Sequence, residues 1–272
     1  MSTRCYTERV QIYYLNMARD ADRRVFMEQQ FSRLGLAATR IEAVARDDLT
    51  DADRADILRI DAAGSKLWAF CVTLSHIRAM RALLGTNAPH ALIFEDDAVL
   101  SSRLPAFLAA YDAAPPALDL LRIETSFHQL RLKPPETALD GYNICRPYSF
   151  EGGRAGYIVT RLAAEIISSS REVRRLPHDK AMFDPYEPLP RRLRVRQLSP
   201  ALVAQAQYVA RGDEPRFVGA PRQPPTPREM GLHGWLQFAA RAVRRDTTVA
   251  VQKAWHQYVG GAKKQRVPFL AE

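Results

Sequence analysis

Cysteine is scarce in this 272-residue chain, and its three copies, Cys5, Cys71 and Cys145, are odd in number and far apart. No C-x-x-C pair occurs, which argues against a disulfide framework and against a thiolate zinc site. A reducing compartment is the natural expectation. Long apolar runs are missing as well: no stretch approaches the roughly 18 residues of a membrane-spanning helix. Arg4, Glu8 and Arg9 interrupt the N-terminus, where a secretory signal would need an apolar core. Internal repeats and low-complexity tracts are absent too. Together these point to a cytoplasmic protein of one large domain or two small ones.

What the chain has in excess is positive charge. Its formal net charge is +9, and from Gly212 to Glu272 ten Lys/Arg stand against five Asp/Glu, about half of that excess. A basic balance favours anionic partners, namely nucleotide diphosphates, lipid headgroups or nucleic acid, without choosing among them.

Apolar periodicity predicts alternating strands and helices. Val10–Leu15 reads as a strand ended by Asn16, and a helix follows from Asp20 or Asp22 to Leu34, stopped by Gly35. Thr39–Val44 is a short strand, Asp47–Asp61 an acidic stretch with a short helix, and Val72–Leu84 a helix with Leu74, Ile77, Met80, Leu83 and Leu84 on one face. Further strands are expected at Leu118–Ile123, which Glu124 follows, at Tyr157–Val159 and at Leu193–Leu198, with a helix over Arg161–Ser170. The order predicts an α/β sheet covered on both faces. From Gly212 to Arg228 five prolines mark a linker or wrapping arm. Beyond it, Leu232, Trp235, Leu236, Ala239 and Val243 form an apolar stripe beside Arg241, Arg244 and Arg245, a basic amphipathic helix that would pack on the domain or lie on a membrane surface.

The most informative segment is Glu95-Asp96-Asp97, which closes the apolar run Ala91-Leu92-Ile93-Phe94. Three carboxylates cannot sit inside a buried strand without partners. At the carboxyl end of a strand in an open α/β sheet they face the crevice where ligands bind. Hard oxygen donors there suit Mg²⁺ or Mn²⁺ held jointly with substrate phosphates. A polar turn after a strand is the plainer alternative.

Four segments in order resemble glycosyltransferase family 25, the lipopolysaccharide galactosyltransferase-like enzymes. They are Tyr14-Leu15-Asn16 with Arg23, Leu74-Ser75-His76, Ile93-Phe94-Glu95-Asp96-Asp97, and Gly156–Arg161 followed by Pro177-His178-Asp179, together spanning roughly residues 10 to 205. Ser65–Cys71 departs from the family's Gly-Glu-Ile-Gly-Cys run, and Phe94 stands where Leu is usual. The resemblance implies a GT-A-like, mostly parallel sheet over residues 1–211; it does not cover 212–272, which the prolines and apolar spacing make an arm and a helical tail. It implies an inverting, metal-dependent transfer of a sugar, galactose for this family, from a UDP-sugar to a saccharide or glycolipid acceptor in cell-surface polysaccharide synthesis. Asp97 and Glu95 are then expected as ligands of Mn²⁺ (or Mg²⁺), and Asn16, Arg23, Ser75, His76, Glu95, Asp96 and Gly156 as donor-binding residues. Asp179 is expected as the base, with Glu151 and Asp184 as rivals. A membrane-surface contact through the tail is expected and nucleic acid is not. The alternatives are a catalytically degenerate nucleotide-sugar-binding module and, on its charge, a nucleic-acid-binding protein.

Overall fold

A computed structural model describes residues 9–60, 67–174, 177–209, 250–252, 254–255 and 260–272. The proline-rich arm and the apolar stripe from Leu232 to Val243 lie outside the described residues.

The chain begins with β1 (Val10–Asn16), α1 (Ala21–Leu34) and β2 (Thr39–Glu42), then α2 (Asp51–Ile60), α3 (Leu67–Leu84) and β3 (His90–Glu95). Gly35 ends α1 in the left-handed conformation at φ 65°, with its N–H bonded to the carbonyls of Phe31 and Ser32. Next come β4 (Ala98–Leu100), α4 (Leu104–Ala113), β5 (Leu120–Arg122), β6 (Glu124–Thr125), β7 (Gln129–Leu132), β8 (Thr137–Leu139) and β9 (Tyr142–Cys145). β10 (Gly156–Thr160), α5 (Arg161–Ser169), α6 (His178–Phe183), α7 (Pro188–Arg192), β11 (Val195–Ser199), β12 (Val203–Gln205) and α8 (Ala206–Val209) follow, and β13 (Lys263–Arg266) lies near the C-terminus.

The main sheet has eight strands in the order β2-β1-β3-β10-β5-β11-β9-β8. β10 and β9 pair antiparallel with their neighbours, so among the described residues the other six strands run one way. The mostly parallel, helix-flanked sheet expected from the sequence is therefore present. Alternation along the strands builds a core on each face. Val10, Ile12, Tyr14, Leu92, Phe94 and Ile158 pack with α1 and α4, while Tyr13, Leu15, Ile93, Tyr157 and Val159 pack with α3, α5 and α6. α3 is long and apolar enough to cross a membrane, but half of it is buried within the protein, as suits a core helix.

Two features differ from the sequence reading. The segment after Thr125 folds into short strands that periodicity did not reveal, because β7 to β9 are only three or four residues each. The chain's end also returns to the domain as a strand rather than a helix. β13 pairs antiparallel with β7, Val267 is buried beside Leu130 and Leu132, and the Ala271 carbonyl accepts from the Ser102 N–H.

Gly156 marks where the main sheet meets the small β4-β12-β6 sheet. A Cβ there would stand 2.9 Å from Val203 Cγ2 and 3.0 Å from Cγ1. Gly156, expected as a donor-binding residue, packs closely against Val203. G156A should cost about 1–3 kcal/mol in chemical denaturation, and V203A in the same background should recover part of the loss. A G156A protein as stable as the wild type would remove this packing role.

Candidate active site

The carboxyl ends of the parallel strands define the site. Leu15 of β1 pairs with Glu95 of β3, so Asn16 and the acidic triplet emerge side by side. β10 enters antiparallel at the same edge: the Glu95 N–H donates to the Ala155 carbonyl, and Tyr157 pairs with Arg122 at the end of β5. This brings Glu95, Asp97, Arg122, Glu124 and Arg154 to one end of the sheet, where α6 delivers His178 and Asp179.

Each acid of the triplet has a different neighbour. Asp96 accepts from Arg23 Nη1 and Asn16 Nδ2, both at 2.8 Å, and Asn16 Nδ2 also donates to the Asp20 carbonyl. Three residues expected at the nucleotide end are thus gathered into one buried cluster. Glu95 Oε1 lies 2.7 Å from Arg154 Nε. Burial alone would raise its pKa, but Arg154 outweighs that and brings it down to about 2. Asp97 is the one left over. Its Oδ1 is buried without a hydrogen-bond partner, and burial together with the Glu95 charge pushes its pKa up to about 8.

That leftover oxygen is what a hard divalent cation would take up. Among the described residues no group of three His, Cys, Asp or Glu side chains gathers within metal-binding range. Asp97 therefore fits an ion held by a single protein carboxylate together with substrate phosphates and water. Glu95, expected as a second ligand, lies against Arg154.

Arg154 organises the rest. It is 8% exposed, and its Nη1 lies 3.8 Å from Asp179 Oδ2, so one guanidinium links Glu95 to Asp179. Asp179 Oδ1 accepts from the Lys180 N–H at 2.9 Å. The loop before Arg154 is shaped for this arrangement. Gly152 and Gly153 have φ of 57° and 87°, and a Cβ on Gly153 would fall 2.6 Å from Glu124 Oε1 and 2.7 Å from Arg122 Nη2. Arg122 donates to the Gly152 carbonyl. Glu124 is fully buried: Oε2 accepts from the Ala155 N–H at 2.8 Å and Oε1 has no partner. Burial, only partly offset by Arg122, pushes its pKa up to about 7.

Two expected donor contacts are absorbed by the scaffold. The Ser75 hydroxyl donates to the Cys71 carbonyl and accepts from the Val44 N–H, both at 2.8 Å, and so ties α3 to the end of β2. His76 is fully buried, with Nδ1 2.9 Å from the Tyr157 hydroxyl and Nε2 3.5 Å from Glu95. Burial lowers its pKa and keeps it neutral. A tautomer with Nε2–H toward Glu95 and Nδ1 accepting from Tyr157 suits both neighbours. His178 stacks on His76 at 4.3 Å. Ser75 and His76, both expected as donor contacts, make these bonds within the fold. Of the rival bases, Asp184 is held 2.7 Å from Lys180 Nζ. The carbonyl of Glu151 accepts from Ser126.

The sequence reading assigned no role to Arg154, Arg122 or Glu124. Glu124 had the same signature as Glu95, an acid at the end of an apolar strand, and Gly152-Gly153 signalled a special loop. Because its folded pKa is raised, Glu124 weakens the fold progressively as pH rises from its ordinary value of 4.5 through about 7. E124Q should match the wild type near pH 4.5 and exceed it at pH 8 by on the order of 2–3 kcal/mol in thermal unfolding. Equal stability at pH 8 would show that the buried acid carries no such penalty.

Comparison with known proteins adds the family. No curated protein matches the chain. Among solved structures, a glycosyltransferase involved in the glycosylation of the major capsid of PBCV-1 is 13% identical, covering 72% of this chain and 92% of its own with a TM-score of 0.39. The mannose-1-phosphate geranyltransferase from Thermus thermophilus is also 13% identical, covering 70% and 73% with a TM-score of 0.37. Residues 9–182, well over half of the sequence and including Glu95, Asp96, Asp97, Glu124 and Asp179, match the family described as glycosyltransferase family 25, LPS biosynthesis protein. The chain belongs to glycosyltransferase family 25.

Proposed function

We propose that this glycosyltransferase moves a sugar, galactose in the first instance, from a UDP-sugar to a saccharide acceptor of a cell-surface lipopolysaccharide, with inversion at the anomeric carbon. The observation that carries the reading is the Arg154 bridge. It links Asp179 to Glu95 of the acidic triplet, which supports a base candidate and the acids acting at one end of the sheet. The protein would act in the cytoplasm, where nucleotide sugars are used.

In this reading Asp97, with its partnerless oxygen, holds Mn²⁺ or Mg²⁺. The ion's contribution is to neutralise charge on the departing diphosphate. The cluster of Asn16, Arg23 and Asp96 forms the wall nearest the nucleotide, and its mutual hydrogen bonds fix it before donor arrives. Arg154 keeps Glu95 ionised and bridges it to Asp179. Asp179, with Oδ1 pinned by the Lys180 N–H, keeps Oδ2 for the proton of the acceptor hydroxyl as that oxygen attacks the anomeric carbon. Neutral His76 and His178 back the site without adding charge.

Two variants separate the roles. D97N should lose Mn²⁺-dependent UDP binding in calorimetry and transfer in a donor–acceptor assay; retained metal-dependent binding would remove Asp97 from the ion. D179N should bind UDP like the wild type but lose about 10²–10⁴-fold in kcat. If D179N loses UDP binding instead, Asp179 belongs to the donor side.

A further inference from the structure

We infer that the outward face formed by β13, β7 and the adjoining segment 146–148 is a docking surface for the anionic headgroups of a phospholipid bilayer. Strand register places its residues. Lys264 lies opposite Arg131, and Arg266 opposite Gln129. On the other side of β7, Leu132 bridges Pro147, the Lys133 N–H donates to the Arg146 carbonyl, and the Tyr148 N–H donates to the Arg131 carbonyl. Arg146 thus stands opposite Lys133, and Tyr148 opposite Arg131. Opposed residues in antiparallel strands share a face, and alternate residues along a strand share it too. Leu130 and Leu132 point inward, 4% and 1% exposed, so Arg131, Lys133, Arg146, Lys264 and Arg266 all belong to the outer face.

The side chains agree with that register. Lys133 Nζ and Arg146 Cζ lie 5.6 and 5.4 Å from the centre of the Tyr148 ring, one cluster over one aromatic. None of the five cations forms a salt bridge among the described residues. Glu136, the acid following β7, is taken by Arg196. Lysines on an edge strand also discourage edge-to-edge pairing, which would explain β13 alone. That does not explain Arg131 on β7, or Lys133 and Arg146 just beyond the ends of β7 and β9. Placing Lys264 directly opposite Arg131 is unfavourable by itself and calls for an external anion.

The spacing selects the partner. Strand register sets the five cations on neighbouring strands and at alternate positions, in steps of about 5–7 Å, so they form an array along one face. Such an array suits many anionic groups laid side by side. Single-stranded nucleic acid would want bare aromatic rings for stacking, and the ring over which these cations gather, Tyr148, is 6% exposed and covered by Lys133 and Arg146. β13 lies in the C-terminal tail expected to touch a membrane, but beyond its apolar stripe, while Arg131, Lys133 and Arg146 lie outside the tail; the inference does not depend on the reading of the catalytic site.

The test is co-sedimentation of the full chain with vesicles of phosphatidylcholine alone or of phosphatidylcholine and phosphatidylglycerol in equal parts. The wild type should bind only the anionic vesicles and release them at high salt. R131Q, K133Q, K264Q and R266Q should each lower the partition coefficient about fivefold, while K264R and R266K keep it. R33Q, an equal loss of charge on exposed α1, should leave binding unchanged within about twofold. The paired variants R131Q/K133Q and K264Q/R266Q lie on different strands, so a folding defect seen by circular dichroism in one leaves the other as the reporter. The inference is overturned if R33Q weakens binding as much as K264Q, or if the folded paired variants bind like the wild type. It is equally overturned if the same variants abolish a tighter binding to DNA or RNA oligonucleotides at the same salt.

Discussion

The buried guanidinium of Arg154 is the interaction on which the site depends. Glu95, Asp97, Glu124 and Asp179 crowd one end of the sheet, and an isolated carboxylate there would be driven to protonate. Arg154 contacts two of the four directly. The result is uneven: Glu95 is firmly ionised, while Asp97 and Glu124, each with an oxygen lacking a partner, sit near neutrality. Titratable groups pushed apart in this way mark functional sites more often than structural ones. Buried ion pairs contribute little net stability against well-packed apolar residues, so a network this large is better explained by chemistry than by folding.

The fold makes this arrangement by bringing strands of opposite direction to the same edge. β3 ends at Glu95, and β10 begins beside it with the glycine loop that carries Arg154. The positive φ of Gly152 and Gly153, and the absence of side chains there, let the loop lie against Arg122 and Glu124. Beneath it the His76–His178 stack and the Tyr157 hydroxyl fill the floor with polar groups that carry no charge. The residues expected at the donor thus divide between the Asn16–Arg23–Asp96 cluster and those bonded beneath the acids.

Much of this was legible in the order of residues. Long strands and helices with clear periods, β1, α1, α3, β3 and α5, fall where apolar spacing puts them, and Gly35 stops α1 as its backbone freedom allows. The acidic triplet stood out because three charges close an apolar run, although a polar turn would leave the same pattern. The strands from β7 to β9 left too short a pattern to read. Arg154 left none, since an arginine after two glycines reads as an exposed loop residue until its burial is known.

Local spacing and the cost of burying charge were enough to set the sheet, its two apolar faces and the acids at its edge. Which acid is neutralised by which cation was settled only by the folded chain. Asn16 and Asp96 meet across 80 residues of sequence, and Glu95, Arg154 and Asp179 across 84 (positions 95 to 179), through strand pairings that no local pattern records. Electrostatic partners are chosen by distance in space, and distance in space is set by the whole sheet.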